Sequence, residues 1–326
     1  MNHFPLSIIV LNWNGGKQLK ACLKSLLESD YDDLEIFVSD NGSKDGSDRF
    51  IEQKYPFIKL VRNGKNLGFS KGNNVVIAKT KGNIVVFSNN DVTVKRDAVA
   101  KIAEVFEDPT VGAATGVICH PNSYIVQNAG VWLHSSGHVI PNLALEDISD
   151  STRYVSKIVD VDAAQGAFLA IRRTLLKQIG FFDENLWAFY EDIDICTRVK
   201  KAGYRVVIRL DCIIWHERSA SWKRSLKLQL RKEMLRDQGR FYFLMKYHGL
   251  GFLWKSGLLE LSFWVGHLAK LLMRHTETQR YISIASTSIL SKRETAAVLR
   301  LLILVLLGKL MAIFGLPKVI RAIYTR

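Results

Sequence analysis

The 326 residues are 48% hydrophobic and 23% charged, so the chain can bury a large core, which excludes a disordered, a collagen-like or a small disulfide-stapled protein. The formal net charge of +14 comes entirely from the C-terminal third, because residues 1–220 carry 26 basic and 26 acidic side chains whereas residues 221–326 carry 19 and 5. We therefore predict a neutral domain over residues 1–220 and a basic, apolar helical region over residues 221–326. A basic region rich in Leu, Phe and Trp favours an anionic membrane surface over nucleic acid as its partner.

Strand-length apolar runs alternate with helical patterns in the first hundred residues. The runs lie at residues 6–11, 34–38, 57–61 and 84–87, and the leucines of residues 19–27 recur at helical spacing between the first two. This alternation predicts a parallel sheet with helices on both faces. Ligands of such sheets bind beyond the carboxyl ends of the strands.

The elements that follow are less regular. Residues 115–160 have the pattern of an irregular insert of short strands and loops. A strand at residues 167–171, a helix at residues 192–202 and two strands at residues 205–208 and 212–215 complete the predicted domain.

The C-terminal region begins with one long predicted helix, residues 223–247. Two apolar segments follow, residues 250–273 and 296–316, and both contain charges, among them Lys309. A lysine at mid-bilayer costs about 2.5–3.5 kcal/mol. We therefore favour helices that lie in the membrane interface; a single span and a helical cap or oligomer interface are the alternatives. The basic side chains of the long helix fall four apart in two stripes, Lys223, Lys227 and Arg231 in one and Lys232, Arg236 and Arg240 in the other.

The four cysteines are Cys22, Cys119, Cys196 and Cys212. They form no Cys-x-x-Cys pair and lie in apolar runs, so we predict buried free thiols in a reducing compartment and no structural zinc site. The first residues lack the charged segment and the long apolar segment of a secretory signal, so we expect none.

Polar residues follow the second and fourth predicted strands. Residues 40–43, Asp-Asn-Gly-Ser, form either a tight turn with an Asx cap or a site in which Asp40 accepts hydrogen bonds from a nucleobase. Residues 89–91, Asn-Asn-Asp, form either another such turn or a site in which Asp91 binds a hard cation that also holds a diphosphate. The Gly- and Asn-rich residues 66–74 suit a phosphate cradle at a helix N-terminus, although they match neither the Walker A loop nor the dinucleotide-binding fingerprint.

Two further clusters carry titratable groups. Glu191 and Asp192 lie among aromatic residues, where crowded carboxylates raise one another's pKa, as a general base requires; helix capping by Asp192 is the alternative. His216 follows a strand and is either an ordinary core or surface histidine or a metal ligand beside Asp91. The other histidines show no metal-ligand spacing.

Taken in order, these motifs resemble the family 2 glycosyltransferases of the GT-A fold, in particular the rhamnosyltransferase-like branch that extends lipid-linked glycans. The resemblance covers about residues 5–220 and implies a Rossmann-like, mostly parallel central sheet flanked by helices. Its motifs are Ser7 to Asn14, Val38 to Ser43, Asn66 to Phe69, Gly72 to Asn74, Asn89 to Asp91, Gln165 to Phe168, Gly180 to Glu184, Tyr190 to Asp194, and Trp215 with His216.

The resemblance also implies a role for each site residue. Asp192 would be the catalytic base with Glu191 beside it, and Asp91 with His216 would hold Mg²⁺ or Mn²⁺. Asn89 replaces the first acid of the family's Asp-x-Asp motif, which leaves one carboxylate for the cation. The implied contacts with a nucleoside-diphosphate sugar are Leu11, Trp13, Asp40, Gly68, Asn74, Asn90, Gly166 and Ala167, and those with lipid headgroups or an acceptor diphosphate are Arg231, Arg236 and Arg240.

These roles imply an inverting, metal-dependent transfer of a rhamnose-like sugar to a hydroxyl of a glycan or of a polyprenol-linked acceptor. The expected place of action is the cytoplasmic face of the cell membrane. Two other classes compete. A non-catalytic sugar-nucleotide-binding protein is favoured by the missing acid at Asn89. A nucleic-acid binder is disfavoured by the apolar content of the basic region, so we expect no nucleic-acid partner.

Overall fold

The computed structural model describes residues 4–135, 137–150, 157–217 and 226–249. The chain divides into two compact units. One unit consists of Met1–His134 and Val139–Ser221, and the other of Ser135–His138 and Trp222–Arg326. The two apolar segments at residues 250–273 and 296–316 lie outside the described residues, so the predictions made for them remain predictions.

The first unit alternates strands and helices as the apolar pattern predicts. Its helices are α1 (Gly16–Leu27), α2 (Ser47–Lys54), α3 (Gly68–Ile77), α4 (Ala98–Val105), α5 (Arg173–Ile179) and α6 (Glu191–Lys201). Its strands are β1 (Leu6–Asn12), β2 (Leu34–Asp40), β3 (Lys59–Arg62), β4 (Ile84–Asn89), β5 (Val92–Val94), β6 (Val111–Cys119), β7 (Val126–Asn128), β8 (Val131–Leu133), β9 (Val139–Pro141), β10 (Ile158–Asp160), β11 (Phe168–Arg172) and β12 (Arg205–His216).

One mixed, mostly parallel sheet forms the centre of this unit. Its strands lie in the order β10-β12-β6-β11-β4-β1-β2-β3. The strands from β4 to β3 are parallel to one another, as are β6 and β12, whereas β11 runs antiparallel to both of its neighbours. Leu11 pairs with Asn89, and Asn12 pairs with Asp40, so β1, β2 and β4 end side by side. The predicted polar strand ends therefore share one edge of the sheet.

Burial on both faces explains the apolar character of the central strands. Ile8, Ile9 and Val10 of β1 are fully buried, and α1 covers one face with side chains at helical spacing, among them Leu19 and Leu23. All four cysteines are buried and free, as predicted for the thiols themselves, whereas the reducing compartment stays a prediction. Burial raises the pKa of the Cys22, Cys119 and Cys196 thiols to about 12 and raises that of Cys212 as well.

The prediction of an irregular region from residue 115 was wrong for its first residues, because β6 is a nine-residue strand that is buried throughout. Its sequence, VGAATGVIC, lacks the alternation of a half-exposed strand, since both of its faces are covered. A Cβ on Gly112 would lie within 2.7 Å of Leu175 and Val199, and one on Gly116 within 2.6 Å of Cys212. Small residues here allow close packing, and they weaken the strand signal in the sequence. The two strands predicted at residues 205–208 and 212–215 are one strand, β12, with an irregular register between Arg209 and Ile213.

The described part of the second unit consists mainly of helix α7 (Leu226–His248), which confirms the long helix. Arg231 and Arg236 are exposed, whereas Arg240 is only 3% exposed. Arg240 donates a hydrogen bond to His138 of the same unit and lies 5.0 Å from the Phe241 ring. Arg240 is thus engaged within this unit, and its contact with lipid headgroups or an acceptor diphosphate stays a prediction. Among the described helices, none is both long enough and apolar enough to cross a membrane.

Candidate active site

Asn12 links the ends of three neighbouring strands. Its side chain is fully buried, and its Nδ2 donates to Asp40 Oδ1 and to Ser47 Oγ, each at 2.9 Å. Its Oδ1 accepts a 2.8 Å hydrogen bond from Asn90 Nδ2. The sequence places Asn12 in a motif without giving it a role; the signal that identifies it is a polar side chain at the buried end of a strand.

Asp40 is 3% exposed and forms the cap of a turn. Its Oδ2 accepts the backbone N–H groups of Gly42 and Ser43 at 3.1 and 3.0 Å, while Oδ1 accepts from Asn12. A carboxylate has about four lone-pair positions, so these three bonds leave one for a nucleobase. The turn interpretation describes the structure, and the contact between Asp40 and a base stays a prediction.

Leu11 and Trp13 stand at the same sheet edge. Leu11 is half-buried and lies so close to Gly72 that a Cβ there would sit 2.6 Å from Leu11 Cδ1. Trp13 follows β1 and is 40% exposed. Both side chains are thus partly accessible, and their contact with a nucleotide stays a prediction.

Asp91 and His216, far apart in the chain, meet beyond the ends of β4 and β12. His216 Nε2 lies 3.1 Å from Asp91 Oδ1. The pairing of β5 with β12 brings them together, because His216 pairs with Val92 and the Glu217 N–H donates to the Asp91 carbonyl at 2.9 Å. Gln127 Nε2 donates to the His216 carbonyl at 2.7 Å. Gln127 lies in the region predicted to be irregular, so no sequence pattern predicted this contact.

This pair suits a divalent cation. Two adjacent ligands of octahedral Mg²⁺, each about 2.1 Å from the metal, are about 3 Å apart, which matches the 3.1 Å between Nε2 and Oδ1. The buried Nδ1 of His216 has no hydrogen-bond partner among the residues that the structure describes. No group of three His, Cys, Asp or Glu residues that could hold a metal occurs within residues 4–135, 137–150, 157–217 and 226–249. The described residues thus offer two ligands and leave the rest of a coordination shell to other groups.

Asp192 is held at the same edge by Gly166, which lies just before β11, the strand beside β4. Its Oδ2 accepts the Gly166 N–H at 2.9 Å, and its Oδ1 accepts the N–H of Ile193 at 2.9 Å. The next residue, Ala167, accepts the N–H of Asn89 at 3.0 Å. Consecutive residues are about 3.8 Å apart, so the Asp192 carboxylate is anchored close to the chain segment that carries Asp91.

Burial changes the proton affinity of both acids in this cluster. It raises the pKa of Asp192, against the opposing effect of the Gly166 N–H, and it raises the pKa of Glu191 well above the ordinary value of 4.5 with a further contribution from the Asp192 charge. Glu191 is 6% exposed, and within the described part of the chain its Oε2 has no hydrogen-bond partner. A partly exposed carboxylate with a raised pKa beside a buried acid is suited to accept a proton.

The backbone is strained immediately before these two acids. Phe189 and Tyr190 have φ angles of 70° and 69°, in the left-handed region that bulky residues avoid. Each such residue costs about 1–3 kcal/mol and persists only where the surroundings hold it. The strain turns the chain so that α6 begins at Glu191.

The Gly- and Asn-rich segment does not offer its first amides to a phosphate, contrary to the prediction. Gly68 N–H donates to Asn66 Oδ1 at 2.9 Å, and Phe69 N–H donates to the Trp187 carbonyl at 2.7 Å. Gly68 has a φ of +82°, and a Cβ there would lie 2.5 Å from the Trp187 carbonyl oxygen. Asn74 is likewise engaged, because its amide bonds both backbone groups of Phe182. Gly68 is therefore a packing position, and a donor contact by Asn74 stays untested.

Comparison with known proteins identifies the family. The model of the family described as glycosyltransferase-like family 2 matches residues 4–234. The chain belongs to this family. It is 24% identical over 236 residues to N-acetylglucosaminyl-diphospho-decaprenol L-rhamnosyltransferase of Mycobacterium tuberculosis, an alignment that covers 66% of this chain and 77% of the relative. It is 29% identical over 232 residues to an uncharacterized protein of Sinorhizobium fredii, with 68% of this chain and 25% of that protein covered.

Solved structures show the same GT-A-like fold. The mannosyltransferase PcManGT of Pyrobaculum calidifontis, in complex with GDP-Man and Mn²⁺, superimposes with a TM-score of 0.60 at 17% identity and covers 97% of this chain and 88% of that one. GalNAc-T7 with UDP, GalNAc and Mn²⁺ gives a TM-score of 0.57 at 17% identity, over 76% of this chain and 51% of that one. These structures show the fold, a mixed, mostly parallel α/β sheet, as the motifs imply, and the match over residues 4–234 makes the chain a family 2 glycosyltransferase.

The environment of Glu191 predicts how the stability of this glycosyltransferase depends on pH. A raised pKa means that the folded state binds more protons than the unfolded state between the ordinary pKa and the raised one. The wild-type free energy of unfolding therefore falls by about 1.4 kcal/mol per pH unit within that window as the pH rises. Glu191→Gln removes the titration, so we expect its stability relative to wild type to increase as the pH rises above about 4.5, the ordinary pKa of the group.

Thermal unfolding of the two proteins across this pH range measures the effect. The matched control is Glu107→Gln, the same change at an exposed carboxylate. A constant difference between Glu191→Gln and wild type across the range would show that burial of Glu191 does not disfavour its charge.

Gly68 gives a second prediction about the glycosyltransferase. Gly68→Ala should lower the free energy of unfolding by about 2–5 kcal/mol, because a left-handed residue costs about 1–2 kcal/mol and overpacking against Trp187 costs about 1–3 kcal/mol. Gly64→Ala is the control, since Gly64 has a φ of +69° but open space around its Cβ position. It should show the conformational cost alone. Urea denaturation measures both, and equal losses for the two variants would contradict the close approach of Trp187.

Proposed function

We propose that this glycosyltransferase moves a sugar from a nucleoside-diphosphate sugar to an acceptor hydroxyl with inversion at the anomeric carbon. The observation that carries the proposal is the anchoring of Asp192 by Gly166, next to Ala167, which bonds Asn89 beside Asp91. A proton acceptor and a pair of cation ligands thus stand at one sheet edge. That arrangement suits a reaction in which an alcohol loses a proton while a diphosphate departs.

The chemistry needs one displacement. Asp192 accepts the proton of the acceptor hydroxyl, and the oxygen forms a bond to the anomeric carbon while the bond from that carbon to the diphosphate oxygen breaks on the opposite side. Glu191 lies beside Asp192, is itself buried and has a raised pKa. No covalent intermediate is required, in keeping with the four cysteines being buried with raised pKa values.

In the proposed enzyme Asp91 and His216 hold Mg²⁺ or Mn²⁺. Such a cation neutralises the negative charge of a departing diphosphate. The 3.1 Å separation of their ligand atoms supports this assignment. The presence of Mn²⁺ in the structures of the mannosyltransferase PcManGT and of GalNAc-T7 supports it by analogy.

We favour a rhamnose-like donor, because the Mycobacterium tuberculosis relative is an L-rhamnosyltransferase. The proposed donor contacts at the sheet edge are Leu11, Trp13, Asp40, Asn90, Gly166 and Ala167. A panel of dTDP-, UDP- and GDP-linked sugars, scored by thermal shift with Mn²⁺ present, tests the donor class, since a ligand that binds the folded state raises its Tm. The expected result is a shift with one nucleotide sugar that exceeds the shift with its free nucleotide. No shift with any member would count against a nucleotide-sugar donor.

The proposed acceptor is a glycan or a polyprenol-linked glycan, and the proposed location is the cytoplasmic face of the cell membrane. The charge of residues 221–326, which carry the whole +14, supports a negatively charged surface as partner, and the exposed Arg231 and Arg236 are the described candidates for it. Flotation of the full chain with vesicles of phosphatidylglycerol or of phosphatidylcholine tests this. Binding to the anionic vesicles alone is expected, and no binding to either kind would count against a membrane partner.

A non-catalytic sugar-nucleotide-binding protein is the second candidate. Asn89 favours it, because the described site holds one carboxylate for a cation where the family motif has two. Release of nucleoside diphosphate by the wild-type protein in the presence of a membrane-lipid extract separates the two candidates. Turnover supports the enzyme, and donor binding without turnover supports the binding protein.

A further inference from the structure

The segment of residues 182–187, which precedes the strained turn before Asp192, is bound along its length to α3. The Asn74 amide makes a two-point contact with it: Nδ2 donates to the Phe182 carbonyl at 2.9 Å, and Oδ1 accepts the Phe182 N–H at 3.1 Å. A side-chain amide that pairs with both backbone groups of one residue fixes the position and the orientation of the backbone at that residue.

Two further bonds hold the far end of the segment to the same helix. Ser70 Oγ donates to the Leu186 carbonyl, and the Phe69 N–H donates to the Trp187 carbonyl at 2.7 Å. Ser70 is fully buried, so its bond is shielded from water. The Phe69 N–H belongs to the first turn of α3, where the amides have no partner inside the helix. Residues in the first two turns of α3 thus bind the segment at both of its ends.

The other side of this loop is held by α6, the helix that carries Asp192. Arg198 Nη1 donates to the carbonyls of Ile179 and Gly180 at 2.8 and 2.9 Å, and Nη2 donates to that of Phe181 at 2.8 Å. The guanidinium is fixed in turn by the fully buried Asp194. Residues 179–187 therefore form a bridge from α3 to α6.

Helix α3 also contacts Gly166, the residue whose N–H binds the Asp192 carboxylate. A Cβ placed on Gly166 would lie 3.3 Å from Phe69 Cζ and 3.3 Å from Asp192 Cβ, so the Phe69 ring borders the residue whose N–H binds the base. Phe69 packs against Phe182 as well, with ring centroids 5.4 Å apart. The strained φ angles of Phe189 and Tyr190 persist only if both ends of the turn are held, and α3 supplies one of those attachments.

We propose that Asn74 is a positioning residue for the general base: by clamping Phe182 to α3, it sets the place of Asp192 without touching the donor. This inference rests on the proposed function, since it assumes that Asp192 accepts the proton. It differs from the donor contact that the family resemblance implies for Asn74, and Ser70 takes the same kind of role.

The test compares Asn74→Ala, Asn74→Asp and Ser70→Ala with wild type. The kcat is measured by release of nucleoside diphosphate with a membrane-lipid extract, and the donor Kd is measured by calorimetry with the nucleotide sugar selected by the thermal-shift panel. We expect kcat of Asn74→Ala to fall about 10- to 100-fold, with a donor Kd within about twofold of wild type. Asn74→Asp keeps the acceptor for the Phe182 N–H and should recover part of the rate. Lys71→Met is the control, because its ion pair with Glu184 joins the same two elements but is half-exposed on both sides and contributes little.

The pH profile of kcat separates positioning from simple loss of stability. A displaced base loses part of its bond from Gly166, which holds the pKa of Asp192 down, so the pKa of the acidic limb should rise in Asn74→Ala and Ser70→Ala. A raised donor Kd with unchanged kcat would make Asn74 a donor contact and overturn the proposal. So would a wild-type kcat per folded molecule in both Ala variants. If Asn74→Ala does not fold, Ser70→Ala and Asn74→Asp decide by the same criteria. Full transfer by Asp192→Asn would instead show that the proposed function has the wrong base.

Discussion

Replacing Asp192 with asparagine should lower kcat of this glycosyltransferase by about 10²- to 10⁴-fold, the range that a positioned general base contributes. The amide oxygen still accepts the Gly166 N–H, so the geometry of the site should be retained. The amide cannot, however, accept a proton from the acceptor hydroxyl. Donor binding should persist, because the cation ligands and the strand ends that border the donor are untouched. The measurement is kcat with the donor Kd determined in parallel.

The same change elsewhere serves as the control for Asp192→Asn. Asp30→Asn removes a carboxylate that is 54% exposed and pairs with Arg96 on the surface, so both kcat and Kd should match wild type. Transfer by Asp192→Asn at the wild-type rate would mean that another group accepts the proton. Loss of donor binding together with kcat would mean that Asp192 contributes to the donor pocket.

Local patterns in the sequence were sufficient to predict the strands and helices that carry the site. The apolar run of β1 reflects burial on both faces of the sheet, and the helical spacing of α1 reflects one covered face. The polar residues after β2 and β4 mark the sheet edge, because polar groups at the end of a buried strand need partners there. The meeting of Asp91 with His216 is a different kind of prediction. Nothing local connects them, since the contact depends on β5 pairing with the end of β12, and only the order of the family motifs indicated it.

Other features depend on long-range packing that leaves no local signal. The small residues of β6 look irregular in sequence because they fit against α5, α6 and β12 rather than against a periodic surface. Gly68 and Asn74 resemble a phosphate loop, yet their partners, Trp187 and Phe182, lie more than a hundred residues away. Arg240 falls on a basic stripe by spacing alone, whereas the fold buries it against His138. Spacing identifies a helix face, but it does not show what covers that face.

Removal of the cation should stop the reaction, and Asp91→Asn should weaken its binding. We expect a chelator to abolish release of nucleoside diphosphate and added Mn²⁺ to restore it. In Asp91→Asn, the Mn²⁺ concentration for half-maximal activity should rise by at least about 10- to 100-fold, since loss of even an outer-shell partner of a metal ligand has an effect of this size. The site is sensitive to this change because Asp91 is the carboxylate that faces His216 Nε2, and among the described residues no third His, Cys, Asp or Glu completes the group.

A readout apart from turnover separates cation binding from folding in this experiment. The electron paramagnetic resonance signal of free Mn²⁺, measured at a fixed concentration of nucleoside diphosphate, should fall further when wild type is added, and should not fall further when Asp91→Asn or His216→Ala is added. Asp97→Asn is the control, because Asp97 pairs with Lys101 on α4 and lies outside this edge of the sheet. Equal Mn²⁺ binding by Asp91→Asn and wild type would show that the cation is held elsewhere. In that case the contact between Asp91 and His216 would have a structural role only. The cation that balances the charge of the diphosphate would then be bound by other groups.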